Sequence, residues 1–119
     1  MNNIPPKVQN QLAMLQQVQQ QLQTVVGQKA QYEVGIREAK KASEELKDVP
    51  ADADVFITVG SVMMRQPKEK VESGLTEKIE TLELRVKSLE KQEKMLQGKF
   101  EQLQAQIKGA LEGKPPVAT

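Results

Sequence analysis

Near the middle of the chain stands Val55-Phe56-Ile57-Thr58-Val59-Gly60-Ser61-Val62-Met63-Met64-Arg65-Gln66-Pro67. Two β-branched or apolar runs are split by Gly60-Ser61, and glycine at the first position of a two-residue turn suits a type II′ hairpin. Pro67 cannot donate to a ladder, so it closes the second strand. Alternation sends Val55, Ile57 and Val59 one way and Phe56 and Thr58 the other, which leaves both faces largely apolar. A lone two-stranded hairpin is marginal in water. This one also carries two open edges and an uncovered apolar face. The spacing therefore predicts that Val55, Phe56, Ile57, Val59, Val62, Met63 and Met64 meet the hairpins of other chains in a common sheet or barrel.

Outward from that centre the period changes. Asp48-Val49-Pro50-Ala51-Asp52-Ala53-Asp54 is loop chemistry. Between Pro6 and Pro50 there is no proline, and Gln, Ala, Leu, Glu and Lys dominate, which predicts a helix over 7–47. A second proline-free stretch predicts a helix over 68–112, and each helix is about 60 Å long at a rise of 1.5 Å per residue. In the second, Leu75, Ile79, Leu82, Val86, Leu89, Glu93, Leu96, Phe100, Leu103, Ile107 and Ala110 alternate steps of four and three. That is a heptad seam with one polar member, Glu93. In the first, Val8, Leu12, Leu15, Gln19, Leu22 and Val26 start a seam, and Tyr32, Ile36, Ala39, Ser43 and Leu46 continue it in a shifted frame. Such a slip predicts a stutter near Gly27 and Gly35. The expected fold is mainly α: two long antiparallel coiled-coil helices joined by a central β-hairpin that oligomerises, in one domain over 1–119 with a flexible tail at 113–119.

Composition narrows the chemistry. The 119 residues include no His and no Cys, so Ser-His-Asp and Cys-His catalysis and ordinary zinc sites are ruled out. Aromatics are only 3%, too few to fill a globular core, so apolar content lies in long seams. With 17 basic and 16 acidic residues there is no electrostatic footprint for nucleic acid or an anionic membrane. No apolar run is long enough to span a bilayer, and the N-terminus does not resemble a signal peptide, so a cytoplasmic setting is expected. Asp48, Asp52 and Asp54 lack the Gly and Glu of a calcium loop and read as turn and cap residues. Gly98-Lys99-Phe100 and Gly113-Lys114-Pro115 do not complete a phosphate-binding loop. No cofactor, metal or catalytic residue is expected, and the chain does not read as an enzyme.

The layout of helix, hairpin and helix resembles the prefoldin family, and particular stretches agree with it. Gln11-Leu12-Ala13-Met14-Leu15-Gln16-Gln17 and Glu38-Ala39-Lys40-Lys41-Ala42-Ser43-Glu44-Glu45-Leu46 are similar to the two ends of the first helix in the archaeal beta class. Val55-Phe56-Ile57-Thr58-Val59-Gly60 looks like its first strand and turn. Glu77-Lys78-Ile79-Glu80-Thr81-Leu82-Glu83-Leu84-Arg85 and Leu89-Glu90-Lys91-Gln92-Glu93-Lys94 look like its second helix. One hairpin rather than two resembles the beta class, not the alpha class. The resemblance implies a heterohexamer of two alpha-class and four beta-class chains built on two β-barrels. It also implies an ATP-independent holdase that captures non-native client proteins and passes them to a group II chaperonin, with neither nucleic acid nor membrane as a partner.

Chain reversal brings both termini together, where apolar residues exceed what a seam needs. Met14, Val18 and Leu111 lie off the heptad positions and Ile4 precedes the helix, while fraying would expose Val8, Leu12, Leu15, Leu103 and Ile107. These nine are the expected client-binding residues. Methionine suits partners of undefined shape, and several weak sites acting on one client would hold it. The Lys108–Lys114 region is the one the resemblance associates with the chaperonin. The alternative function is a structural coiled-coil adaptor or spacer, which predicts apolar patches along the helices instead.

Overall fold

The computed structural model describes residues 4–113, in the order α1 (Pro6–Lys47), β1 (Val55–Val59), β2 (Val62–Gln66) and α2 (Lys68–Leu111). Of the expected flexible tail, 113–119, all but Gly113 lies outside the described residues. The chain divides into two compact units. The terminal unit is built from residues up to Gln28 and from Ser88 onward, and the hairpin unit is Lys29–Lys87.

In the hairpin unit the helices run antiparallel. The Arg85 guanidinium lies 5.6 Å from the centre of the Tyr32 ring, and Lys40 pairs with Glu83 at 3.7 Å. A Cβ on Gly35 would stand 3.2 Å from Leu82 Cδ1, so the helices approach closely there. α1 ends in tight turns, with the amides of Asp48 and Val49 donating to the carbonyls of Glu45 and Leu46. The Lys68 ammonium donates to the Val49 carbonyl at 2.7 Å and pairs with Glu72 at 3.6 Å, so the first residue of α2 clasps the exit from α1. Pro67 accepts from the amides of Lys70 and Val71 and starts α2.

Between these points the strands pair antiparallel in the register Val55↔Gln66, Phe56↔Arg65, Ile57↔Met64, Thr58↔Met63 and Val59↔Val62. Arg65 pairs with Asp54 at 2.8 Å beside the first strand. Gly60 has φ of 61° and no described non-glycine residue has positive φ, so Ser61 does not, which fits the expected type II′ turn. Nothing lies within 4 Å of a Cβ at Gly60, so a substitution there meets only backbone strain. Gly60→Val should cost about 1–2 kcal/mol and loosen the ladder. Faster amide exchange at Ile57, Val59 and Met64, with α1 amides unchanged, is the expected reading.

The terminal unit is antiparallel too, with Gln11 beside Gln106. Pro6 opens α1, where a missing N–H is no loss, and Pro5 accepts from the Gln9 amide. At the other end Gly113, with φ of 72°, donates to Ala110 and caps α2.

Burial along α2 follows the expected heptads. Leu75, Ile79, Leu82, Val86, Leu89, Glu93, Leu96, Phe100, Leu103 and Ile107 are buried or half-buried, and of the expected seam only Ala110 is exposed. α1 corrects the expected frame. Its inward positions are Val8, Gln11, Leu15, Val18, Leu22, Val25, Lys29, Tyr32, Ile36, Ala39, Ser43 and Leu46. These alternate steps of three and four without a break, so there is no stutter. Leu12, Gln19 and Val26, expected in the seam, are exposed, and Val18, expected outside it, is 3% exposed. The reason is geometric: an unbroken heptad keeps one face toward the partner helix even where that face carries Gln11 and Lys29.

Candidate functional site

Two surfaces stand out, one in each unit. The first is the hairpin. Register places Val55, Ile57, Val59, Val62 and Met64 on one face and Phe56, Thr58, Met63 and Arg65 on the other. Val55 and Ile57 are half-buried, while Phe56, Val59, Val62, Met63 and Met64 are exposed, Met63 to 70%. Five large apolar side chains open to solvent on ten strand residues exceed ordinary surface exposure. Among the described residues the sheet has two strands, so each keeps one unpaired edge.

The second surface is in the terminal unit. Ile4, Leu12, Met14 and Leu111 are exposed, Met14 to 44% and Leu111 to 61%. Leu15 is half-buried; with Ala105, Ile107 and Leu111 it lines a shallow groove of about 720 Å³. Val8, Val18, Leu103 and Ile107 are buried in the seam. Of the nine expected client-binding residues, the structure therefore offers four at the surface, one in part and four covered. Sequence reasoning placed Leu12 in the seam and Val18 outside it, and the unbroken heptad from Val8 reverses both.

Along the helices Val26 and Val34 are exposed as well, and Leu84 and Met95 are each 68% exposed. Leu84 sits among Glu80, Glu83, Arg85 and Lys87, and Met95 among Lys91, Gln92, Lys94 and Lys99, so each is a single apolar side chain in a charged setting. A groove of about 850 Å³ at Met95 is lined by Val25, Met95 and Leu96 and rimmed by Gln17, Gln20, Gln21, Gln28 and Gln92. Among the described residues no three His, Cys, Asp or Glu side chains gather to hold a metal ion, and no helix is long and apolar enough to cross a membrane.

With this geometry in view, comparison with known proteins is informative. A family model described as Prefoldin subunit matches residues 9–114. The chain is similar to the prefoldin subunit beta of Methanoculleus marisnigri, 74% identical over 118 residues that cover 98% of each chain. It is 58% identical to that of Methanospirillum hungatei over 114 residues, 96% of this chain and 95% of the other. Among solved structures, the crystal structure of the prefoldin beta subunit from Thermococcus strain KS-1 superposes with a TM-score of 0.84 at 49% identity, covering 98% of this chain and all of that one.

Proposed function

The chain belongs to the prefoldin family, as a beta-class subunit of archaeal type, and on that premise we propose that it is one subunit of an ATP-independent holdase. The hairpin joins those of an alpha-class partner and of further copies, in a heterohexamer of two alpha and four beta chains. Val55, Phe56, Ile57, Val59, Val62, Met63 and Met64 make the contacts, and the open strand edges continue the ladder from chain to chain. The terminal unit captures non-native proteins in the cytoplasm and the assembly delivers them to a group II chaperonin. Ile4, Leu12, Met14 and Leu111 make first contact, and Val8, Leu15, Val18, Leu103 and Ile107 add area where the seam opens.

The observation that carries this reading is the presence of two apolar surfaces, one in each unit, the first suited to strand pairing and the second adaptable. Each terminal unit exposes too little area to hold a client alone, so capture depends on several acting on one molecule. A spacer role would use apolar groups along the helices, where Val26, Val34, Leu84 and Met95 are exposed, and family membership favours the subunit role over it. The test is light scattering of an unfolding enzyme, without nucleotide, in the presence of this chain assembled with an alpha-class subunit. Suppression at near-stoichiometric assembly is expected, and undiminished scattering overturns the proposal.

A further inference from the structure

The closed terminal unit covers four of the nine residues expected to capture, and one more in part. Val8, Leu103 and Ile107 are buried, and Leu15 is half-buried. They reach a client only if α1 and α2 part. One residue in the seam opposes the closed arrangement. Gln11 takes the heptad position between Val8 and Leu15, where an apolar side chain would seal the interface. Its Oε1 is buried and has no hydrogen-bond partner among the described residues. Its Nε2 donates to Gln106 Oε1 at 3.4 Å, beyond the usual range for N–H···O. Turning both amides over lets Gln106 donate instead, but the inner atom of Gln11 is then an unpaired nitrogen. Either way one buried polar atom is desolvated without compensation in the closed state and regains water when the helices separate.

We infer that Gln11 is a positioning residue for capture: its half-paired amide keeps the terminal unit close to opening, and opening presents Val8, Leu15, Leu103 and Ile107 to non-native polypeptide. This rests on the capture role proposed above and names what regulates it. The open state is a minor one, and apparent affinity for a client scales with the fraction open. Filling the seam at this position stabilises the chain and weakens its activity together. A purely structural Gln11 would give the opposite, since a firmer subunit would capture as well or better.

The experiment uses the full assembly carrying Gln11→Leu, with Gln11→Met as the unbranched variant nearest in shape. Amide exchange is followed over residues 9–22, and aggregation suppression is titrated in parallel. The expected result is a rise in protection of about tenfold with a several-fold rise in the assembly concentration needed for half-suppression. Greater protection with unchanged suppression overturns the inference, because capture then uses only the residues already exposed. Unchanged protection in both variants overturns it as well, because Gln11 then does not weaken closure. The capture role itself fails separately, when the unsubstituted assembly gives no suppression at all.

Discussion

Phe56→Asp combined with Met63→Asp leaves the chain helical but unable to assemble. Both side chains are exposed on the same face of the hairpin, on diagonal positions of the ladder, so the isolated chain loses almost no packing. In the proposed assembly the same face would be covered. Each replaced side chain forfeits roughly 1.5–3 kcal/mol of burial, and each new carboxylate must be desolvated without a partner. A loss of 3 kcal/mol is already more than about 100-fold in affinity. Light scattering coupled to gel filtration, after mixing with an alpha-class subunit, should show free chains where the unsubstituted protein elutes as a complex. Leu84→Asp is the control, because Leu84 is equally exposed on α2 and its loss should leave assembly intact. Equal behaviour of the two variants would remove the hairpin from the interface.

The second large effect is expected at the terminal unit. Replacing Ile4, Leu12, Met14 and Leu111 together by Ser removes the exposed apolar groups proposed for capture without touching Val8, Val18, Leu103 or Ile107. The seam stays filled, so melting temperature should change little. Each group contributes only weakly to one contact, but a client held by several subunits loses the same increment at each. Attachment energies add across the contacts, so a small deficit per subunit multiplies into a loss of tenfold or more in client affinity. Suppression of aggregation should fall accordingly while the mass of the complex is unchanged. If suppression persists at full strength, these residues do not hold the client.

How far these surfaces were legible in the sequence differs by element, for a physical reason in each case. The hairpin was readable because Gly60-Ser61 satisfies a backbone demand that few dipeptides meet, between runs whose alternation allows no helix. α2 was readable because nearly every seam position is apolar, so counting hydrophobic residues finds the frame. α1 was not. Its seam accepts Gln11, Lys29 and Ser43, while Leu12, Met14, Val26 and Val34 stand outside. A frame chosen for apolar content then drifts away from the buried face and needs a stutter to recover. The corrective signal was present: from Val8 to Leu46 one strict alternation of threes and fours runs without a break, provided that polar members are admitted. The same misreading hid Gln11, a seam residue of the terminal unit with a buried side-chain oxygen that has no hydrogen-bond partner among the described residues.

The clasp between Lys68 and the Val49 carbonyl has a thermodynamic consequence. A connecting segment hung between two helix ends would ordinarily sample many poses, and docking would have to arrest them all. Here the ammonium ties the exit of α1 to the start of α2, so the base of the ribbon is set before any neighbour arrives, while the exposed Asp54–Arg65 pair adds little. Encounter then forfeits overall tumbling and translation and less internal freedom than an untied segment would lose. A module with so few fastenings can dock tightly because the chain has already done the ordering.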